Sequence, residues 1–320
     1  MRDTGDVLRH DVIIVGGGPA GLCAALYAGR GMLDAVLIER GLPGGQMLNT
    51  DVIEDYIGFE NIQGRDLAQK MADHAAKFGA KFVTDNVDSI EKRDDGQFDV
   101  KTALGKTYRA PAVILAAGGT PARLGVPGEE KYAGKGVSYC AVCDGAFFKG
   151  ETLSVVGGGD AAVEEAEYLT RYAEKVYIVH RRDRFRASPI LQKRVFDSPK
   201  IAVIWNRVVE EIEGNDRGVT ELRLKDTVTG GLSSLTVTGV FIFVGFRPNI
   251  GLVKGHLEHD EAGNVITDAN MMTSIEGLWA VGDLRKQLIR HITTAVGDAT
   301  TAAVAVERYL GERKDRAGGG

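Results

Sequence analysis

Short apolar runs that end in glycine-rich turns set the pattern of this chain. Residues 11–15 form the first run, and the continuous apolar residues after Asp11 predict a strand that is buried on both faces of a parallel sheet. A glycine turn at 16–21 follows, and the Ala- and Leu-rich residues 22–30 then predict a helix. Residues 35–39 predict the next strand. Together these segments predict one βαβ unit.

The same pattern returns in the middle of the chain. Residues 152–156 predict a strand, 157–162 a glycine turn, 163–172 a helix and 176–180 a second strand. The chain therefore carries two units of the dinucleotide-binding type, which indicates an internal duplication of architecture.

Two further apolar strands end in glycine and are followed by a proline. They are residues 112–119, before Pro121, and residues 240–245, before Pro248. We interpret them as the points where the chain passes from one domain into the other. The fold class that follows is α/β, with two Rossmann-like dinucleotide-binding domains, the second inserted in the first.

The C-terminal part of the chain completes the first domain in this interpretation. Residues 277–283 predict a strand that ends in Gly-Asp, and the Ala- and Thr-rich residues 292–309 predict a helix. The predicted domains are 1–119 with 247–320, which is discontinuous, and 120–246.

Composition narrows the class of protein. Glycine is abundant, with 42 of 320 residues, and many of these glycines stand where apolar runs end. The net charge of −5 argues against a nucleic-acid-binding protein, which needs a basic face. No signal peptide and no apolar stretch of about 20 residues is present, so we expect a cytoplasmic protein without a membrane span. Residues 311–320 are charged and then all glycine, and we expect them to be disordered.

The first glycine turn has the dinucleotide fingerprint spacing. Gly16 permits a tight turn, Gly18 lets the backbone approach a pyrophosphate, and Gly21 lets helix and strand pack closely. The following helix N-terminus presents unpaired N–H groups to the phosphates. Glu39 ends the second strand, where an acid can accept hydrogen bonds from ribose hydroxyls. The alternative interpretation of Glu39 is a solvated surface residue.

The second turn, Gly157, Gly159 and Ala162, is followed by a strand that ends in a basic sequence instead of an acid. This sequence contains His180, Arg181, Arg182 and Arg186. Guanidinium groups bind a phosphate bidentately, so the second site should prefer NADP over NAD. The alternative is a basic surface loop. Because the two turns differ in this way, we expect two dinucleotides, FAD at the first and NADPH at the second.

The three cysteines fall into two groups. Cys23 stands alone on the first predicted helix and is expected to be a small core residue. Cys140 and Cys143 form a CxxC pair, for which a half zinc site and two core thiols are the alternatives to redox chemistry. Zinc would need two more soft or imidazole ligands, and no second CxxC exists, so we predict no metal. A CxxC pair in a cytosolic chain is typical of a redox-active disulfide.

Asp144 directly follows the cysteine pair. Dithiol chemistry takes a proton from one thiol and returns one to the leaving sulfur, and a nearby carboxyl group can carry it. The predicted catalytic residues are therefore Cys140, Cys143 and Asp144, with an ordinary turn residue as the alternative for Asp144.

At this point the sequence resembles the low-molecular-weight thioredoxin reductases, of the class-II pyridine nucleotide-disulfide oxidoreductases. The cysteine pair inside the second dinucleotide domain separates that family from the glutathione-reductase type. The matching stretches are residues 16–21, 43–46, 140–145, 157–162, 180–187 and 280–283.

The resemblance implies a homodimer that passes electrons from NADPH through FAD to the cysteine pair and then to thioredoxin or a thioredoxin-like protein. It also implies that the second domain rotates about connecting segments near Gly118–Gly119 and Gly245. The implied FAD contacts are Gly16, Gly18, Pro19, Ala20, Gly21, Glu39, Gly45, Gln46, Gly118, Gly282, Asp283, Arg290, His291 and Ile292. The implied NADPH contacts are Gly157, Gly159, Ala162, His180, Arg181, Arg182, Arg186 and Gly245.

Several positions depart from the family pattern. Asp55 stands where an Asn is common, His291 where a Gln is usual, and Ala146 where an aromatic residue often follows the Asp-Gly pair. Ala117 and Ala161 stand where a Thr and a Ser are common. The changes at Asp55 and His291 bear on flavin contacts, and the change at Ala146 bears on the choice of partner.

Four other functions remain open at this stage. They are a dithiol oxidase of the same fold, a reductase that serves another disulfide carrier, a reductase driven by ferredoxin, and a flavin-binding sensor. The intact arginines weigh against the oxidase and the ferredoxin-driven enzyme, and the intact cysteine pair weighs against the sensor. Which cysteine faces the flavin stays undetermined.

Overall fold

The computed structural model describes residues 7–318. Its contacts divide the chain into two compact units, with breaks after Thr120 and after Phe246. The second unit is continuous in sequence, and the first combines the segments before and after it.

The first unit begins with alternating strands and helices. In chain order they are β1 (Val7–Arg9), β2 (Val12–Val15), α1 (Pro19–Arg30), β3 (Ala35–Glu39), a 3-10 turn (Gly45–Asn49), β4 (Val52–Ile53), β5 (Ile62–Gln63), α2 (Gly64–Lys77), β6 (Lys81–Thr84), β7 (Val87–Lys92), β8 (Phe98–Thr102), β9 (Thr107–Ala110) and β10 (Ala112–Leu115).

The second unit and the return to the first follow. Their elements are β11 (Gly119–Pro121), β12 (Val137–Ser138), α3 (Ala141–Asp144), a 3-10 turn (Gly145–Phe148), β13 (Thr152–Gly157), α4 (Asp160–Leu169), β14 (Lys175–Val179), α5 (Pro189–Asp197), β15 (Ile201–Ile204), β16 (Arg207–Asn215), β17 (Gly218–Asp226), β18 (Leu232–Thr236), β19 (Gly239–Phe243), β20 (Phe246–Pro248), β21 (Leu278–Ala280), a 3-10 turn (Gly282–Leu284) and α6 (Ile292–Gly318).

A five-stranded parallel sheet forms the centre of the first unit, in the order β21-β10-β2-β3-β6. All four residues of β2 are buried, as expected for a strand covered on both faces. Helices α1 and α6 cover one face, where small residues such as Ala24 and Ala302 permit close packing around Trp279. On the other face lies a four-stranded sheet in the order β1-β9-β8-β7, which contributes Phe98 and Tyr108 to the core.

The second unit repeats this layered arrangement. Its parallel sheet has the order β12-β19-β13-β14-β15. Helices α4 and α5 pack on one face, with Val163 and Leu191 in the core. The antiparallel sheet β16-β17-β18 packs on the other face through residues such as Leu222. The expected α/β fold class and the expected duplication of the βαβ unit are therefore confirmed.

The two segments that connect the units form a two-stranded sheet, β11 with β20. Beside it, the Asn249 N–H donates to the Gly118 carbonyl at 3.0 Å, and the Ala122 N–H donates to the Gly245 carbonyl at 2.8 Å. The backbone at Gly118 and Gly245 has positive φ values of 54° and 126°. These are left-handed conformations, which favour glycine.

One expectation about the C-terminus is wrong. Residues 311–320 were expected to be disordered, but α6 continues to Gly318, the last described residue. The Arg313 guanidinium donates to the Tyr309 hydroxyl at 3.0 Å, and Arg316 pairs with Glu312 one turn earlier. Opposite charges spaced by one helical turn stabilise a helix, so a charged sequence does not by itself indicate disorder.

Helix α1 begins at Pro19 and α4 at Asp160, each three residues earlier than expected. The expected strand at 277–283 is shorter and turns into a 3-10 turn at Gly282. None of the helices within residues 7–318 has the length and apolar character that a membrane crossing requires.

Candidate active site

The three glycines of the first turn meet different surroundings. A Cβ on Gly16, where φ is +104°, would collide with the Ala116 carbonyl, and a Cβ on Gly21 would collide with the Gly16 carbonyl. A Cβ on Gly18 would have only the Gly45 Cα nearby, at 3.8 Å. The fold therefore requires glycine at the outer two positions, whereas Gly18 leaves an open cradle at the N-terminus of α1 that fits a phosphate group.

Glu39 lies beside this turn. One carboxylate oxygen, Oε2, accepts the Gly17 N–H at 2.6 Å, and Oε1 accepts the Gly41 N–H at 3.1 Å. A Cβ on Gly17 would lie 2.9 Å from the Glu39 Cγ, so the middle glycine permits this approach. The acid at the end of β3 thus faces the glycine turn and is not a freely solvated surface residue.

The segment of Gly45 and Gln46 also reaches the turn. The Gly44 N–H donates to the Gly17 carbonyl at 2.7 Å, and a Cβ on Gly45 would lie 2.9 Å from the Gly18 Cα. The exposed Gln46 side chain accepts a hydrogen bond from Asn49 at 3.2 Å.

Gly282 and Asp283 lie next to the first turn of α1, which holds Pro19 and Ala20. A Cβ on Gly282 would lie 3.1 Å from the Ala20 Cβ, and the backbone of Gly282 has φ of +76°. Burial raises the pKa of Asp283, against the opposing charges of Arg290 and His291.

A buried acid that we did not predict fixes this turn. Asp298 on α6 is 8% exposed, accepts the Gly282 N–H at 3.1 Å and pairs with Arg285 at 2.7 Å. A charged residue inside the Ala- and Thr-rich helix was the one signal in the sequence.

The residues before α6 are tied to two other loops. Arg290 donates to the Asp283 carbonyl at 3.1 Å and to the Asn264 side chain at 2.8 Å. His291 Nδ1 lies 2.7 Å from Asp55 Oδ2, so two departures from the family pattern contact each other. Ile292 packs against the small core cluster formed around Met47.

The first unit therefore brings together most of the residues that the family resemblance implies as FAD contacts. They lie along the carboxyl edge of its parallel sheet. Gly118 follows β10 at the same edge and adjoins the connecting strand β11.

The second glycine turn is built alike in the second unit. A Cβ on Gly157 would collide with the Phe243 carbonyl and would lie 2.6 Å from the Ala162 Cβ. Ala162 is buried at the position of the third glycine. A Cβ on Gly159 would meet nothing within 4 Å, so this turn also offers an open cradle.

His180 takes the place that Glu39 holds in the first unit. Its buried ring leaves no room for a Cβ on Gly158, and its Nε2 lies 3.0 Å from the Arg184 carbonyl. Burial lowers the pKa of His180, and the charges of Arg182 and Arg181 act in the same direction. Burial therefore favours the neutral imidazole, which packs against the turn.

The arginines after His180 stand free around this turn. Arg181, Arg182 and Arg186 are exposed, and within residues 7–318 their guanidinium groups form no ion pair. The Arg186 N–H donates to the Gly158 carbonyl at 2.8 Å, which places this residue against the turn. The geometry fits a phosphate site. Gly245, which follows β19, lies on the connecting segment instead.

The two cysteines form a disulfide. Cys140 precedes the four-residue helix α3 as its N-cap, and its Sγ accepts the Cys143 N–H at 3.1 Å. Cys143 is the exposed partner. The bonded sulfurs contradict the zinc and core-thiol alternatives. Residues 7–318 contain no group of three or more His, Cys, Asp or Glu side chains that could hold a metal ion. Cys23 is a free, buried cysteine, as expected.

Asp144 is the last residue of α3, and its N–H donates to the Cys140 carbonyl at 3.2 Å. Its carboxylate accepts a hydrogen bond of 2.6 Å from the hydroxyl of Ser138, which also contacts the Cys140 backbone. We did not predict a role for Ser138, because a serine two residues before a cysteine carries no signal by itself.

Comparison with known proteins agrees with this geometry. The family model for pyridine nucleotide-disulphide oxidoreductases matches residues 10–299. The chain belongs to that family.

Its relatives are thioredoxin reductases. The thioredoxin reductase of Listeria innocua is 50% identical over 309 residues, which cover 96% of this chain and 95% of the relative. The thioredoxin reductase of Bacillus subtilis is 48% identical over 312 residues, 96% of each chain. The crystal structure of Lactococcus lactis thioredoxin reductase in its FR conformation superposes with a TM-score of 0.92 at 44% identity, covering 95% of this chain and 99% of that one. The resemblance stated from the sequence is therefore confirmed, and the chain is an oxidoreductase of this group.

Proposed function

We propose that this chain is an NADPH-dependent FAD enzyme that reduces the disulfide of thioredoxin or a thioredoxin-like protein. One observation carries the proposal: the Cys140–Cys143 disulfide, with Asp144 beside it, lies in the same unit as a glycine turn surrounded by unpaired arginines. A dithiol reductase needs both an electron donor site and a disulfide.

The first unit would hold FAD, and the second would hold NADPH. Gly18 and the N-terminus of α1 would bind the FAD pyrophosphate, with Glu39 toward the ribose. Gly159 and α4 would bind the NADPH pyrophosphate, and Arg181 and Arg182 the 2′-phosphate. When bound, FAD would supply the group that accepts hydride and the reducing equivalents for the disulfide.

The cysteine pair and Asp144 would carry out the exchange with thioredoxin. One thiol gives its proton to the Asp144 carboxylate, and the resulting thiolate attacks the thioredoxin disulfide. The leaving thioredoxin sulfur takes a proton, and the second thiol of the pair then breaks the mixed disulfide. The pair ends oxidised by two electrons, and thioredoxin ends reduced by two.

The connecting segments around Gly118 and Gly245 would act as the hinge that lets one disulfide serve both the flavin and a protein partner. A cytoplasmic homodimer completes the proposal, on the strength of the family resemblance.

The test is an anaerobic assay of the purified FAD-loaded protein with NADPH or NADH as donor and oxidised thioredoxin as acceptor. Wild type should turn over with NADPH, and Cys140→Ser and Cys143→Ser should each fail to reduce thioredoxin while NADPH still bleaches the flavin. Cys23→Ser is the matched control and should remain active.

Thioredoxin reduction by either variant would overturn the proposed mechanism. Flavin bleaching without thioredoxin reduction by wild type would indicate another disulfide carrier. A flavin that NADPH does not bleach would favour the oxidase or the ferredoxin-driven enzyme.

A further inference from the structure

The buried hydroxyl of Ser138 contacts both Cys140 and Asp144. It lies at the carboxyl end of β12, where its backbone is fixed by pairing with Phe241 on β19, and only 5% of the residue is exposed. Its Oγ contacts Asp144 Oδ2 at 2.6 Å, the Cys140 carbonyl at 3.2 Å and the Cys140 N–H at 3.1 Å.

Two of these three contacts require the hydroxyl to donate, and a hydroxyl can donate only once. A serine hydroxyl has one proton and two acceptor lone pairs. The Cys140 N–H uses one lone pair. The proton can therefore be given to Asp144 or to the Cys140 carbonyl, but not to both at once.

We propose that Ser138 is a positioning residue whose hydroxyl rotates between these two acceptors as Asp144 gains and loses its proton. The inference rests on the proposed function of Asp144. With Asp144 ionised, Ser138 donates to Oδ2. With Asp144 protonated, the carboxyl O–H donates to the second lone pair of Oγ, and the Ser138 proton turns to the Cys140 carbonyl.

This rotation leaves every polar group satisfied in both protonation states. A buried donor or acceptor that loses its partner costs about 1–3 kcal/mol, and an aspartate that shuttles a proton would meet that cost in one of its two states. Ser138 itself neither gains nor loses a proton, so the exchange between thiol and carboxylate stays balanced. The same hydroxyl fixes the Cys140 backbone, so the carboxyl group is held in register with the cysteine pair.

The test is a double-mutant cycle with Ser138→Ala and Asp144→Asn, both measured as FAD-loaded enzyme. Asn at 144 keeps an oxygen that can accept from Ser138 but cannot carry a proton. Ser138→Ala should lower kcat for thioredoxin reduction on the order of tenfold and leave NADPH reduction of the flavin within about twofold. The acidic limb of its pH–rate profile should move to higher pH, because the ionised carboxylate loses a donor.

On the Asp144→Asn background, Ser138→Ala should change the rate by less than about twofold, since both act through one proton. Losses that multiply would overturn the inference and leave the proposed function standing. A full-rate Asp144→Asn enzyme would overturn both the role of Asp144 and the inference.

Ser154 provides a matched control. It is a fully buried serine on β13 of the same sheet, and its hydroxyl has no hydrogen-bond partner among the described residues. Ser154→Ala should leave the pH profile unchanged, and an equal change in this variant would mean that packing alone explains the effect.

A second readout needs neither thioredoxin nor NADPH. The protein reduced with dithiothreitol is alkylated with iodoacetamide over a pH range, and the modified cysteine is quantified by mass spectrometry. Ser138→Ala should alter the pH dependence of alkylation, and an unaltered dependence would overturn the inference. If Ser138→Ala shifts the pH dependence of alkylation but the wild-type enzyme does not reduce thioredoxin, the inference stands and thioredoxin is not the partner.

Discussion

Gly18 and Gly21 stand three residues apart in one turn, yet a methyl group would have opposite consequences at the two positions. At Gly21 it would collide with the Gly16 carbonyl, whereas at Gly18 it would enter open space on an ordinary backbone, with φ of −71°. The fold requires glycine at position 21, whereas at position 18 only the proposed ligand would require it.

We expect Gly21→Ala to destabilise the apoprotein by more than about 2 kcal/mol, because the helix must move away from the strand. Gly18→Ala should leave the apoprotein within about 0.5 kcal/mol of wild type and weaken FAD binding at least tenfold. Urea unfolding of the apoproteins and FAD titration measure the two effects. Equal loss of stability in both variants would contradict this division.

A second prediction for single residues concerns Arg181 and Arg182, which follow β14. Replacing Arg181 and Arg182 with Gln should raise KM for NADPH about tenfold to a hundredfold and leave KM for NADH within about threefold, because a charge-assisted hydrogen bond contributes roughly 1.5–3 kcal/mol. Initial rates of flavin reduction measure it. Arg184→Gln is the control, an exposed arginine of the same loop. If the preference for NADPH over NADH is unchanged, these arginines are ordinary surface residues that do not bind the 2′-phosphate.

Residues with a strong local signature were predictable from the sequence. The glycine turns, the basic sequence after β14 and the CxxC pair each combine residue type with spacing, and the structure places them as that spacing implies. Ser138 and Asp298 were not predictable, since their roles depend on which groups they meet. A serine or an aspartate is common everywhere, and only a contact across a turn or between elements distinguishes these two.

Two elements of the first unit are joined by a pair that no local pattern reveals. Asp55 lies in the loop between β4 and β5, and His291 lies at the start of α6, where its N–H donates to Thr294 Oγ1 at 3.1 Å. Tyr56 and Ile292 pack against one core cluster beside them. The Asp55–His291 contact and the apolar contact together hold this loop against the helix.

Because Asp55 is 58% exposed, the pair should contribute little to stability. A double-mutant cycle with Asp55→Asn and His291→Gln should give a coupling free energy of about 0.2–1 kcal/mol at neutral pH, and less in high salt. Urea unfolding of the apoproteins measures it. The exposed Glu312–Arg316 pair, at 3.7 Å, is the control and should give a smaller value. A coupling above about 2 kcal/mol would mean that the pair is far less solvated than its exposure indicates.

Strands and helices of the two βαβ units were predictable because parallel strands buried on both faces are continuously apolar. The antiparallel strands were not predicted. β7 has one register shift in its pairing with β8, and β16 has two in its pairing with β17. Strands with irregular pairing give an interrupted alternating signal, so only the partner strands define them.

At the scale of the whole molecule, two short strands, β11 and β20, connect the units. A Cβ on Gly118 or Gly245 would meet nothing within 4 Å, although φ is positive at both. The fold therefore does not need glycine there for space, and the left-handed backbone is the reason for the residue type.

If these glycines form the hinge, restricting their backbone should slow turnover. The Gly118→Ala/Gly245→Ala variant should lower kcat for thioredoxin reduction on the order of three- to tenfold, because alanine disfavours the left-handed region by about 1–2 kcal/mol. Stopped-flow and steady-state assays measure it.

Gly230→Ala is the control for this variant. Gly230 has φ of +74° and equal free space, but it lies in the turn between β17 and β18. The same loss of turnover in this variant would show that general backbone strain, and not a hinge, is responsible.

The insertion of one unit into the other was predictable because both exits carry the same glycine-then-proline pattern. The order of strands within each sheet was predictable only as a type, since neighbours such as β21 and β10 are separated in sequence by the whole second unit. Pairing over that distance leaves no trace in a single sequence.

Glu39 and the arginines after β14 differ in what else depends on them. Glu39 holds the glycine turn together through the N–H groups of Gly17 and Gly41, whereas Arg181 and Arg182 are exposed and unpaired within the described chain. Mutation can therefore reach a new preference at the second site in single steps that keep the protein folded. At the first site the same step would also loosen the turn. Under the proposed assignment of the two sites, the halves of this duplicated architecture are unequal starting points for evolution and for engineering. Mutations can change the electron donor that the second site would bind, while binding of the dinucleotide proposed for the first site is tied to folding.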